Sequence, residues 1–141
     1  MSNLFLFDTS ILVHLGRNDD TGQHIRATYS PFMSDPKPFI CTVTEGELRS
    51  LALQWAWGMQ KTEQMGFVLG YFRRVSIERP DAMQVYATID AFSKSRGIKM
   101  GKNDVWIAAT AHISGARLVT TDDDFDHLVP GFIAVDKIKL R

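Results

Sequence analysis

Short continuous apolar runs alternate along the chain with stretches whose apolar residues recur at helical intervals. Leu4-Phe5-Leu6-Phe7 has the pattern of a strand buried on both faces of a parallel sheet. Phe39-Ile40-Cys41-Thr42-Val43 and Ala116-Arg117-Leu118-Val119-Thr120 read the same way, and Phe132-Ile133-Ala134-Val135 predicts a fourth strand. Val75-Ser76-Ile77 is a further, less apolar candidate. Thr44-Glu45-Gly46-Glu47 has the form of a capping box and predicts a helix that opens there and stops at Gly58. A second helix is predicted over Thr62 to Arg74. A third follows Pro80 and ends near Gly97, with Met83, Tyr86, Ile89, Ala91 and Phe92 as its apolar stripe. A fourth begins at Asn103 or Asp104 and stops at Gly115. Strands alternating with helices imply a parallel sheet covered on both faces. The Pro and Gly clusters at Ser34 to Pro38 and Glu78 to Asp81 read as loops, so one α/β domain over residues 1–141 is expected.

Composition agrees with this picture: 45% apolar and 23% charged residues are ordinary for a folded domain. No uncharged run exceeds 12 residues (Val105 to Ala116), short of the roughly 20 needed to span a bilayer. The start of the chain has no basic region, and Asp8 interrupts its apolar stretch, which argues against a signal peptide. A single cysteine, Cys41, suits a reducing compartment, and a cytoplasmic protein is expected. Sixteen basic and sixteen acidic residues balance to zero, at first sight against a nucleic-acid binder. If four carboxylates are occupied by metal, sixteen basic groups face twelve acidic ones, a balance of +4.

The acids fall at particular places. Asp8 closes the first strand, Glu45 sits in the first turn after the second, Asp104 opens the late helix, and Asp122, Asp123 and Asp124 follow the strand ending at Thr120. In an open parallel sheet, strand C-termini and the following helix N-termini share one edge, where ligands bind. Singly, each acid reads as readily as a cap or turn residue; four on one edge do not. Carboxylates so gathered repel, and helix N-termini offset only about 0.3–1 kcal/mol each. A cation is required, and oxygen ligands without His or Cys favour Mg2+ or Mn2+. Two such ions can activate a water and stabilise the leaving oxygen of a phosphodiester. Ser10 and Thr120 could orient a carboxylate by hydrogen bonding, or simply cap local turns.

Phe-Asp-Thr-Ser-Ile-Leu-Val (7–13), Thr-Val-Thr-Glu-Gly-Glu-Leu (42–48), Asn-Asp-Val-Trp-Ile-Ala-Ala-Thr-Ala (103–111) and Leu-Val-Thr-Thr-Asp-Asp-Asp-Phe (118–125) together resemble the four signature segments of PIN domains. Their order and spacing most resemble the VapC-type toxins of toxin–antitoxin pairs, over residues 4 to about 135. The resemblance implies a three-layer α/β/α fold, Mg2+- or Mn2+-dependent endoribonuclease activity and an antitoxin protein as partner. It implies Asp8, Glu45, Asp104 and Asp122 as catalytic metal ligands, with Asp124 the second choice within the triplet. Two rival readings remain. An aspartyl-phosphate phosphatase would place a second Asp two residues after the first, where this chain has Ser10. A PIN-like binding module would carry an idle site.

Lys94, Arg96, Lys99 and Lys102 lie within nine residues, with no acid among them, just before Asp104. Lys99 and Lys102 are the candidates for RNA phosphates, against the alternative of a solvated helix end. Arg73, Arg74 and Arg79 read as a second helix end. Between Leu51 and Phe72 there are too many large apolar residues for one helical stripe, Trp55, Trp57, Met59, Phe67 and Tyr71 among them. A homodimer or an antitoxin helix is expected to cover some of them. His14 and His112 fall in helical patterns as structural residues, with no zinc spacing.

Overall fold

A computed structural model describes residues 4–141. Five strands, β1 (Phe5–Phe7), β2 (Phe39–Cys41), β3 (Arg73–Val75), β4 (Arg117–Thr120) and β5 (Val135–Lys137), form one sheet in the order β3-β2-β1-β4-β5. Every pairing is parallel. Six helices connect them: α1 (Thr9–Arg17), α2 (Asp20–Tyr29), α3 (Thr42–Gln54), α4 (Met59–Leu69), α5 (Pro80–Ser95) and α6 (Lys102–Ser114).

The two-residue period of the strands sets the layers. Leu6, Cys41 and Leu118 point into a core shared with Ile89 of α5 and Val105, Ala108 and Ala111 of α6. Their neighbours Phe7, Ile40 and Val119 point into an opposite core with Ile11 and Leu15 of α1, Ile25 of α2, Leu48 of α3 and Leu69 of α4. Both faces of the sheet are thus buried, giving the three-layer α/β/α arrangement and explaining why the strands are apolar runs rather than alternating ones.

Several boundaries differ from the sequence reading. Helix α3 begins at Thr42, with Cys41 as an N-cap whose side chain makes no capping hydrogen bond. Thr44 is therefore inside the helix and buried, and the anticipated capping box does not form. Gly58 caps the start of α4 instead of ending α3. The predicted 62–74 helix stops at Leu69, because Arg73 and Arg74 belong to edge strand β3, whose polar residues are exposed. The fourth apolar run yields its strand only from Val135. Phe132 and Ile133 pack against the α5/α6 core, with Phe132 5.1 Å from the Phe92 ring and its carbonyl accepting from His112 Nδ1 at 2.6 Å. Helices α1 and α2 fill the segment between β1 and β2, where the sequence reading has only a helical pattern around His14. They meet at a corner where His14 pairs with Asp19, and a Cβ at Gly22 would stand 2.1 Å from the His14 carbonyl oxygen.

Candidate active site

The carboxyl ends of β1 and β4 and the N-termini of α1, α3 and α6 meet at one edge of the sheet. Asp8 caps α1, its Oδ1 accepting from Thr9 N–H at 2.7 Å. Its Oδ2 accepts from Thr120 Oγ1 at 2.7 Å and from Ser10 Oγ at 3.4 Å. The cap and cluster readings of Asp8 thus describe the same residue. The Thr120 hydroxyl also accepts from Asp122 N–H at 3.1 Å, tying the loop after β4 to Asp8.

Burial is the first cause of a rise in the Asp8 pKa to about 6, opposed by the Thr120 bond and reinforced by the charges of Asp122 and Glu47. Asp104, half-buried, is pushed up to about 7 by burial and then by Asp8, Asp124, Glu47 and Asp122. Asp122 is raised by burial and by the charge of Asp124. These shifts describe one interacting group of carboxylates: Asp8, Glu47, Asp104 and Asp122, with the exposed Asp124 at its rim.

Glu45 is not in that group. Its carboxylate accepts from Arg74 Nε at 2.7 Å and Arg49 Nε at 3.0 Å, and these guanidiniums hold its pKa below the ordinary value. Two residues along α3 is about 200° of turn, so Glu45 faces β3 while Glu47 faces the sheet edge. Glu47 Oε1 accepts from Thr9 Oγ1 at 2.6 Å, and that hydroxyl also reaches Thr44 Oγ1 at 3.3 Å. Thr9 and Glu47 are the residues that the sequence reading missed. A signal was present: Arg49 stands four residues after Glu45, the spacing of a surface ion pair.

Asp123 is engaged elsewhere, its Oδ1 accepting from Lys137 Nζ at 2.8 Å. Of the basic run, Lys94 pairs with Asp90 and the Arg96 guanidinium lies 4.4 Å from the Phe92 ring centre. Lys99 and Lys102 are exposed and have no ion-pair partner among the described residues. Lys102 lines a shallow depression together with Glu47, Asn103 and Asp104.

Among the described residues no three ligating side chains form a ready cage for an ion. The donor chemistry nonetheless suits a hard divalent cation. The group offers carboxylate oxygens without His or Cys, and burial with mutual repulsion raises the pKa of Asp8 to about 6 and of Asp104 to about 7, shifts that a positive charge among them would oppose.

An α/β sheet edge bearing four acids from four separate segments defines an acidic-site protein of the open parallel-sheet class. The PIN domain family model matches residues 5–129, and the chain belongs to the PIN domain family. Solved structures share the fold. VapBC2 from Rickettsia felis, bound to a promoter DNA fragment, aligns with a TM-score of 0.79 at 17% identity over 95% of this chain and 98% of that one. VapBC-1 from nontypeable Haemophilus influenzae gives 0.78 at 19% over 95% and 97%. VapBC-5 from Mycobacterium tuberculosis, a member of the VapBC family of toxin–antitoxin systems, gives 0.69 at 22% over 99% and 100%. No curated protein matches the chain.

Proposed function

We propose that this protein is a divalent-metal-dependent endoribonuclease and the toxin of a toxin–antitoxin pair. The observation that carries the reading is the convergence of Asp8, Glu47, Asp104 and Asp122 on the carboxyl edge of a PIN-family sheet. These four would hold Mg2+ or Mn2+, with Asp124 at the rim. When bound, the ions would supply an activated water and charge stabilisation for the departing oxygen of an RNA phosphodiester. The chain's own residues prepare that edge. Thr120 and Ser10 orient the Asp8 carboxylate, and Thr9 does the same for Glu47. Lys102, in the depression beside Asp104, and Lys99, three residues before Lys102, would offer exposed charges to neighbouring phosphates.

A groove between α1, α2 and α4 supports the antitoxin part of the reading. Leu12, Leu15, Phe32, Met65, Phe67 and Val68 line it, and Arg17, Arg26 and Lys61 stand at its margin. Such a surface suits an amphipathic segment with acidic flanks. Similarity to VapBC complexes points the same way.

The test is RNA cleavage by the wild type, Glu47→Gln and Glu45→Gln, each in Mg2+ and in excess EDTA. Wild-type activity is expected to vanish in EDTA. Glu47→Gln should lose activity by about 100-fold or more, as expected when an anchor of the ions is removed. Glu45→Gln removes two partly exposed ion pairs, with Arg74 and Arg49, each worth about 0–1 kcal/mol, and should cut nearly as wild type. Undiminished cleavage in EDTA would overturn the metal mechanism, and equal loss in both variants would overturn the reassignment to Glu47.

A further inference from the structure

The loop that delivers Asp122 is pinned from the neighbouring strand. Lys137 of β5 is paired in register with Thr120 of β4, the residue whose hydroxyl holds both Asp8 and the Asp122 amide. From there its ammonium donates to Asp123 Oδ1 at 2.8 Å and to Asp126 Oδ2 at 2.7 Å. Between those two acids the Phe125 side chain is fully buried. The 121–126 segment is thus fixed by the Thr120 hydroxyl, by Phe125 in the core and by the ammonium of Lys137. Asp122 and Asp124 act on Asp104, while Asp123, held by Lys137, bears on Asp122.

We propose that Lys137 is a positioning residue that sorts the aspartate triplet, engaging Asp123 and Asp126 so that Asp122 is presented beside Asp8 and Asp104. The inference rests on the metal-site reading above and deepens it. Lys137 acts through the loop and does not itself meet the cation or the substrate.

Two effects of removing Lys137 have opposite signs, which makes the idea testable. As a nearby positive charge, Lys137 disfavours a cation, and its loss would also leave Asp123 and Asp126 unneutralised. On charge alone, Lys137→Met should bind Mn2+ more tightly. As a positioning residue, its loss should weaken binding, since mutating outer-shell partners of metal ligands typically costs about 10–100-fold in affinity.

The experiment is calorimetric Mn2+ titration of the wild type, Lys137→Met, Lys137→Arg and Asp122→Asn, with amide hydrogen exchange over residues 121–126 and melting curves in EDTA. Asp122→Asn should lose most binding. Lys137→Met should bind about tenfold or more weakly and exchange the Asp122 amide faster, and Lys137→Arg should recover much of both. If Lys137→Met does not fold, Asp126→Asn makes the same comparison, with faster exchange at Asp122 as its readout. Wild-type affinity or tighter binding in Lys137→Met, with binding lost in Asp122→Asn, overturns the role of Lys137 and leaves the metal site standing. No uptake by the wild type, or unchanged uptake by Asp122→Asn, overturns the metal site and this inference with it.

Discussion

Asp8 concentrates the residue-scale physics. It is 2% exposed and accepts three hydrogen bonds, yet burial still lifts its pKa to about 6 from 3.8. A carboxyl whose folded pKa is raised is protonated more readily in the folded state than in the unfolded chain. Its ionisation therefore costs nothing below about pH 3.8, and the cost grows from there to about pH 6 and is complete above it. Asp8→Asn removes that cost and relieves Asp104, for which Asp8 is the largest neighbouring charge. In EDTA at pH 8 the variant should melt about 3–6 °C above the wild type, a gap that closes near pH 4. Adding Mg2+ should narrow or reverse the order, because the wild type gains binding energy that the variant lacks. A variant melting below the wild type at pH 8 would take Asp8 out of a repelling group. Asp8, Asp104 and Asp122 were legible in the sequence because each follows a strand or sits in the first turn of a helix. Glu47 was not, since choosing between two glutamates in Thr-Glu-Gly-Glu requires the true start of α3, and a resemblance to a capping box displaced its N-cap by three residues, from Cys41 to Thr44.

At the scale of elements, the apolar excess between Leu51 and Phe72 divides in a way that sequence could not specify. Leu69 and Phe72 enter the core, Trp57 and Met65 are half-buried in the groove, and Leu53, Met59 and Phe67 stand exposed. Periodicity shows that a helix has too many apolar residues but not which neighbour takes the surplus. Strand β5 shifted for a related reason: Phe132 and Ile133 match a strand as well as they match a helix-packing segment, and tertiary contacts decided the matter. Phe67 is the residue to test. It is 77% exposed, so Phe67→Glu should change stability by no more than about 0.5 kcal/mol. On the toxin reading, the variant co-expressed with the proposed antitoxin should fail to form the complex expected of the wild type, because it sets a charge in an apolar groove. Full retention of that complex would locate the docking surface elsewhere.

Over the whole molecule, zero net charge conceals a division of labour, with acids gathered at the sheet edge and Lys102, without an ion-pair partner among the described residues, in the depression beside them. Replacing Lys99 and Lys102 together by Ala should weaken RNA binding. The slope of log affinity against log salt should fall by roughly 1.4, about 0.7 for each phosphate contact to a single strand. An unchanged slope would make both lysines ordinary solvated residues. The strand order has a consequence for the birth of the protein. The bond between Thr120 and Asp8 spans 112 positions, and a chain leaves the ribosome N-terminus first. Asp8 is therefore made long before the partners that give it a function, and no short fragment contains the site. On the nuclease reading, a half-translated chain cannot cut the message that encodes it, and the capacity to cut arrives late in synthesis, once β4 has been made and inserted beside β1.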